Sequence, residues 1–236
     1  MNIIKLLALA TFVLITTSNV IASSIDEVVQ LQKSWAEANY TLKDQAQITA
    51  FETLIQQADE AVMANTDSVE VLIWQGVIKE SYAGVKASYG GVKGGLGALS
   101  LAKSAKADFE KALKMDDTAL QGASYTNLGV LYYKVPGWPI GFGDDDKAKL
   151  YLEKALAIDS AGIENNYFYA DYLIDQRQYA QAEAYLLKAQ HAAARPNRTL
   201  ADKGRQTKIT TALQNIKLQL NNKSQDKNNA SITDRR

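Results

Sequence analysis

The sequence predicts an all-α chain built from antiparallel helix pairs, and three observations carry that prediction. Apolar residues recur at helical spacing with almost no strand-like alternation, and no Pro occurs between residue 23 and Pro136. A short block recurs in register: Asp108-Phe109-Glu110-Lys111-Ala112-Leu113, Tyr151-Leu152-Glu153-Lys154-Ala155-Leu156, and the related Tyr185-Leu186-Leu187-Lys188-Ala189. Ahead of each block lies a segment with a small residue at its packing point, namely Gly76, Gly129 and Ala170. Helix axes approach to about 8–10 Å only where the contact carries little side-chain volume, so a small residue there marks a helix–helix crossing.

Composition bounds the function. The 236 residues are 47% hydrophobic and 22% charged, with 26 basic and 26 acidic side chains. A net charge of zero argues against nucleic acid and anionic membranes as partners. With no Cys, the chain has no disulfides, thiolate metal sites, cysteine nucleophile or lipid-anchoring cysteine. A single His leaves no His-rich metal site.

The elements follow in order. Lys5, the apolar run from Leu6 to Ile15 and the Val20-Ile21-Ala22 site have the order of a secretory signal peptide, so residues 1–22 are expected to be removed and the remainder exported, to the periplasm or beyond. The apolar run is too short for a membrane span. Ile25, Val28, Val29, Leu31, Trp35 and Ala38 predict a first helix, and Ala50, Leu54, Ala58 and Val62 one face of a second. Asn65-Thr66-Asp67-Ser68 reads as a turn and N-cap ahead of a helix starting near Val69. Ile209, Leu213, Ile216 and Leu220 form a narrow stripe on a capping helix, Leu200 to Leu220, with Lys203, Arg205, Lys208, Gln214 and Lys217 on its polar faces. Residues 221–236 are rich in Asn, Ser and Lys and are expected to be a disordered tail.

The spacing resembles the tetratricopeptide repeat (TPR), a helix pair with a period of about 34 residues. The Ala170, Ala182, Leu186, Ala189 series fits it without a gap. The unit of Gly129 carries 7 extra residues between its helices and the unit of Gly76 carries 17. Repeats are read at about 69–117, 122–160 and 163–196 within a helical domain 23–220. Such pairs cannot bury their apolar stripes alone and stack into a solenoid, so the expected architecture is a TPR-like solenoid with two inter-helix insertions and a C-terminal cap.

The first insertion, Ser81 to Ser104, holds six Gly between Gly84 and Gly97. It lacks the Gly-Lys-Ser/Thr of a phosphate-binding loop and follows no strand, so long helices with a Gly-loosened bend are expected. The second, Val135 to Gly143, ends one helix with Pro136 and Gly137 and carries Trp138 and Phe142, which either plug the helix pair or project to bind. Asp144, Asp145 and Asp146 then open the next helix as caps rather than as a calcium loop, whose alternating ligands and closing Glu are missing. Additions to a solenoid tend to collect on one face, often the binding face, so both insertions are expected at one edge.

A narrower resemblance lies in Leu131-Tyr132-Tyr133, Pro136-Gly137-Trp138-Pro139, Phe142-Gly143-Asp144, Leu152 to Leu156 and Asn165 to Leu173. This order is similar to the T-component family of periplasmic TRAP-transporter accessory proteins (TatT-like), and to the helical-repeat domain of mitochondrial regulators of microtubule dynamics. The resemblance implies a helical fold with a cleft or pore and a role in solute uptake beside a substrate-binding partner.

In a stacked array the first helices line the concave face. Counting from the small residues places Ile73, Val77 and Glu80, then Thr126, Val130 and Tyr133, then Tyr167, Asp171 and Ile174 inward. Twelve of the twenty aromatics fall between Tyr125 and Tyr185, which makes that half the candidate contact surface. The candidate binding residues are Ile73, Glu80, Thr126, Tyr133, Trp138, Tyr167 and Asp171. Asn127 stands where carboxylate-binding repeats carry an amide, but the accompanying basic residues are missing. His191 sits near a helix end, where a cation suits the dipole. No spacing singles out a catalytic pair, so the expectation is a non-enzymatic scaffold with no metal or cofactor. Its concave face would hold another exported protein; the alternative is an uptake accessory that binds a small ligand or a substrate-binding partner.

Overall fold

The computed structural model describes residues 24–89 and 91–233, with side chains over 24–89 and 94–221. The expected signal peptide, residues 1–22, lies outside the described residues. The fold is all-α. Helix α1 covers residues 24–40, followed by α2 (Asp44–Ala64), α3 (Val69–Tyr89), α4 (Gly91–Met115), α5 (Ala119–Lys134), α6 (Asp145–Ile158), α7 (Ile163–Asp175), α8 (Tyr179–Gln190), a short 3-10 turn (Pro196–Arg198) and α9 (Thr199–Thr233). The chain divides into two compact units, 1–108 and 109–236.

In the first unit Ser68 caps α3, its Oγ accepting from the Val71 amide at 3.4 Å, as the turn chemistry predicts. The buried stripe of α2 is Gln47, Phe51, Leu54, Ala58 and Ala61; of the expected face Leu54 and Ala58 are buried, while Ala50 and Val62 stand at its half-buried edge. The aromatic Phe51 on that stripe stacks on Tyr82, with ring centroids 5.8 Å apart. Gln75 donates to Asp59 at 2.6 Å and Tyr82 to Glu52 at 2.8 Å, fixing α2 and α3 as an antiparallel pair. The core joins Trp35 and Trp74, edge to face at 5.6 Å. Lys79 and Asp108 pair at 2.7 Å with little exposure, tying α3 to α4. The residues expected as an insertion lengthen both helices, 21 residues in α3 and 25 in α4. A side chain at Gly94 would meet the Lys86 carbonyl oxygen at 2.5 Å, so glycine is what lets α4 fold back on α3.

In the second unit the small and apolar residues of the recurring blocks are core residues. Ala148, Leu152 and Ala155 of α6, and Ala170, Ala182, Leu186 and Ala189 of α7 and α8, are all fully buried. A Cβ on Gly129 would lie 2.5 Å from Leu152 Cγ and 3.2 Å from the Ala148 carbonyl oxygen. The small residue therefore sits where α5 and α6 cross. The first helices α5 and α7 run side by side and parallel: Thr126 donates to Asn165 at 2.7 Å and Tyr133 to Asp171 at 2.8 Å, with nearly the same sequence offset. Asn165 also donates to the carbonyls of Ala155, Asp159 and Gln121. That last acceptor lies in a left-handed turn at the start of α5, where Leu120, Gln121 and Gly122 have φ of 49°, 56° and 75°.

Helix α9 runs to Thr233, through the segment expected to be a disordered tail; after Gly204 the sequence has no Gly or Pro to stop it. Its packed stripe is Ala201, Asp202, Arg205, Ile209 and Ile216. Arg205 is thus a correction to the expected polar outer face: it stands four residues before Ile209 and faces α7.

Candidate functional site

Three features of the second unit concentrate chemistry, and the first is the loop between α5 and α6. It closes through backbone hydrogen bonds: Gly143 N–H donates to Pro136 O at 3.0 Å, Gly141 N–H to Gly137 O at 3.1 Å, and Asp144 N–H to Tyr132 O at 2.8 Å. Side chains at Gly141 or Gly143 would run into the Pro136 and Val135 carbonyls, so glycine is required at this neck. The two aromatics part ways. Phe142 folds back edge-on to Tyr132 at 5.7 Å, in line with the stacked rings of Tyr132, Tyr151 and Tyr125. Trp138 projects, 90% exposed, and Ile140, two residues on, is 70% exposed. The plug reading therefore holds for Phe142 and not for Trp138.

The second feature is an acidic edge that follows the loop. Asp144 caps α6 by accepting from the Lys147 amide at 3.0 Å, the role expected of it, and that bond lowers its pKa. Asp145 and Asp146 complete the first turn. Tyr172, which meets Tyr133 edge-on, has its hydroxyl pKa raised by burial and then by Asp145, Asp146, Glu153 and Asp175. Tyr169 is pushed up to about 12 by burial and by Glu153, which its hydroxyl contacts at 3.2 Å. The carboxylates that act on these two hydroxyls come from α6 and α7.

The third is an ionic network where α7 meets the cap. Glu164 binds Arg195 at 3.0 Å and Arg205 at 2.6 Å, and Asp202 binds Arg195. The Arg205 guanidinium lies 4.1 Å above the Tyr167 ring and 4.6 Å from that of Phe168. Burial opposes ionisation of Glu164, but Arg205, Arg195 and Arg198 overcome it and hold its pKa at about 2.

The structure places the candidate residues as follows. Ile73 is buried and Glu80 half-buried on α3 of the first unit. Thr126 and Tyr133 are buried, and both are spent on α7 rather than on solvent. Asp171 is half-buried, accepting from Tyr133 and pairing with Lys134 at 2.8 Å. Tyr167 is half-buried under Arg205. Trp138 alone of the set stands clear of the fold. Sequence reasoning missed Arg195 and Arg205; the i, i+4 relation of Arg205 to Ile209 was the available signal. His191 ends α8, with its Nδ1 donating to the Leu187 carbonyl at 2.8 Å, which matches the structural role expected of it.

Compared with known proteins, the chain matches no family model and no curated sequence.

Proposed function

We propose that this chain is an exported, non-enzymatic scaffold of the tetratricopeptide kind that holds another exported protein. The observation that carries the reading is the Trp138 loop. A tryptophan 90% exposed at the tip of a backbone-bonded, glycine-dependent neck costs solubility and adds nothing to the core. Large aromatics held rigidly in solvent are the usual anchors of protein interfaces. The parallel, constant-offset contact of α5 and α7 and the close crossing at Gly129 support the repeat architecture in the second unit. Export rests on the leader order from Lys5 to Ala22.

The test is affinity capture with the full chain expressed and processed in its native host. A protein partner should copurify in a fixed ratio from the exported fraction. Trp138→Ala should weaken it with the circular dichroism spectrum unchanged, since the side chain is 90% exposed. Recovery of a tightly bound small molecule with no protein would favour the uptake-accessory alternative, and recovery of neither would sink the scaffold reading.

A further inference from the structure

Three consecutive residues at the start of α5 stand in the left-handed region: Leu120 at φ 49° and ψ 44°, Gln121 at 56° and 41°, and Gly122 at 75° and 26°. Only the third is glycine. Elsewhere in that region the Cβ crowds the following carbonyl oxygen, so Leu120 and Gln121 each hold strain. Such a backbone persists only where its surroundings fix it, and here the fixing contacts can be named.

Gly122 N–H donates to Thr118 O at 3.1 Å and closes the turn on itself. Ile158, at the end of α6, covers Gly122 so closely that a Cβ there would meet its Cδ1 at 2.9 Å. The third contact is Asn165 of α7, 5% exposed. Thr126 donates to its Oδ1 at 2.7 Å, which aims the carboxamide nitrogen at three carbonyls: Ala155 O at 3.0 Å, Asp159 O at 3.1 Å and Gln121 O at 3.2 Å. Two N–H hydrogens therefore serve three acceptors. Giving up the Gln121 contact, the longest of the three, leaves both hydrogens bonded and strands no buried donor. In a right-handed helix the freed Gln121 carbonyl accepts from the amide four residues on, and both strained residues relax.

We infer that the Leu120–Gly122 turn is a two-state junction and Asn165 its latch. In the latched state the chain enters α5 through the left-handed turn. In the released state residues 119–123 join α5 as right-handed helix, and the last turns of α4 meet α5 in a different direction. The inference goes beyond the scaffold reading and does not depend on it. Because Asn165 also binds Thr126 across the contact of α5 with α7, a partner that separates those helices would favour the released state.

The chain has no Cys, so spin labels can be confined to two introduced sites in the full mature chain. Lys111→Cys on α4 and Lys149→Cys on α6 are both exposed and both in the second unit, and their separation reports the junction. The native turn should give one main distance. Gly122→Ala should move it to a second, defined distance with helicity retained, because alanine escapes both φ 75° and Ile158 only in the released state. Asn165→Ala should give that same second distance. Adding Gln121→Gly to Asn165→Ala should restore the first, since glycine accepts the left-handed turn without strain. A residue that mattered for packing alone would not be rescued by an exposed glycine on another helix. In the native turn, NMR relaxation dispersion should detect exchange at the amides of 120–122, and Gln121→Gly should cut the minor population about tenfold. An unchanged distance in Gly122→Ala, different second distances in Gly122→Ala and Asn165→Ala, failure of the glycine rescue, or absence of exchange would each overturn the inference. If Gly122→Ala or Asn165→Ala does not fold, the exchange measurement and its response to Gln121→Gly decide.

Discussion

Replacing Gly129 with Ala puts the helix-pair register to the test, because two opposing effects can be weighed from the structure. Alanine gains about 1 kcal/mol over glycine in a helix interior. Against that, the new Cβ would sit 2.5 Å from Leu152 Cγ, 2.9 Å from its Cδ2 and 3.2 Å from the Ala148 carbonyl oxygen. Carbon atoms settle at about 3.5–4.0 Å, so α5 and α6 must part by about 1 Å. Leu152 is fully buried and cannot step aside. Overpacking of this kind costs about 1–3 kcal/mol. Gly84 is the internal control: it is an exposed position within α3 where a Cβ meets nothing within 4 Å, so Gly84→Ala keeps the whole helix gain. The two substitutions should therefore differ by about 1–3 kcal/mol, with Gly129→Ala the worse. Urea melts followed by far-ultraviolet circular dichroism measure the difference, with fluorescence of the buried Trp35 and Trp74 reporting the unit that holds Gly84. Leu152→Ala alone should cost about 2–5 kcal/mol, and the double variant less than the two single losses together, since each relieves the other. If Gly129→Ala stabilises as much as Gly84→Ala, or if the pair is additive, the crossing is not where these residues place it.

Two further outcomes are expected. Glu164 has its pKa lowered from 4.5 to about 2, so its contribution is complete above about pH 4.5 and is lost as pH falls through about 2. The shift corresponds to about 3 kcal/mol, and an acid titration of the urea midpoint should show a limb that Glu164→Gln flattens. At neutral pH that variant should lose about 3–5 kcal/mol, because the buried Arg205 keeps its charge after the Glu164 carboxylate is gone, whereas Arg195 retains Asp202. Gln121, exposed at φ 56°, pays for a left-handed backbone; Gln121→Gly should raise stability by about 1 kcal/mol, and a fall in melting temperature would contradict that turn.

The helical class and the pair register were legible because they depend on spacing within one element. Ala148, Leu152 and Ala155 recur at intervals of four and three, and nothing distant is needed to read them. The capping role of Asp144 is local in the same way. What sequence could not supply was which of two faces a polar side chain chooses when its partner lies far along the chain. Thr126 and Tyr133 read as lining a concave face, but Asn165 and Asp171 on a neighbouring helix use up their hydroxyls and both side chains are buried. Arg205 reads as solvent-facing until Glu164, on another helix, gives its charge a buried partner. The fate of Trp138 depended on the backbone path of the loop, which is set by hydrogen bonds among Pro136, Gly137, Gly141 and Gly143 and not by the apolarity of the ring.

The neck of that loop has a consequence for how the protein can change. The requirement for glycine and the closing hydrogen bonds fall on the base, at Gly137, Gly141, Gly143 and Asp144, while the tip at Trp138 and Ile140 touches little of the protein. Substitution at the tip is therefore nearly free of folding cost, whereas substitution at the base is not. A lineage carrying this neck could exchange one recognition residue for another in single steps without passing through an unstable intermediate. The same property makes the tip a natural graft point for a new binding sequence.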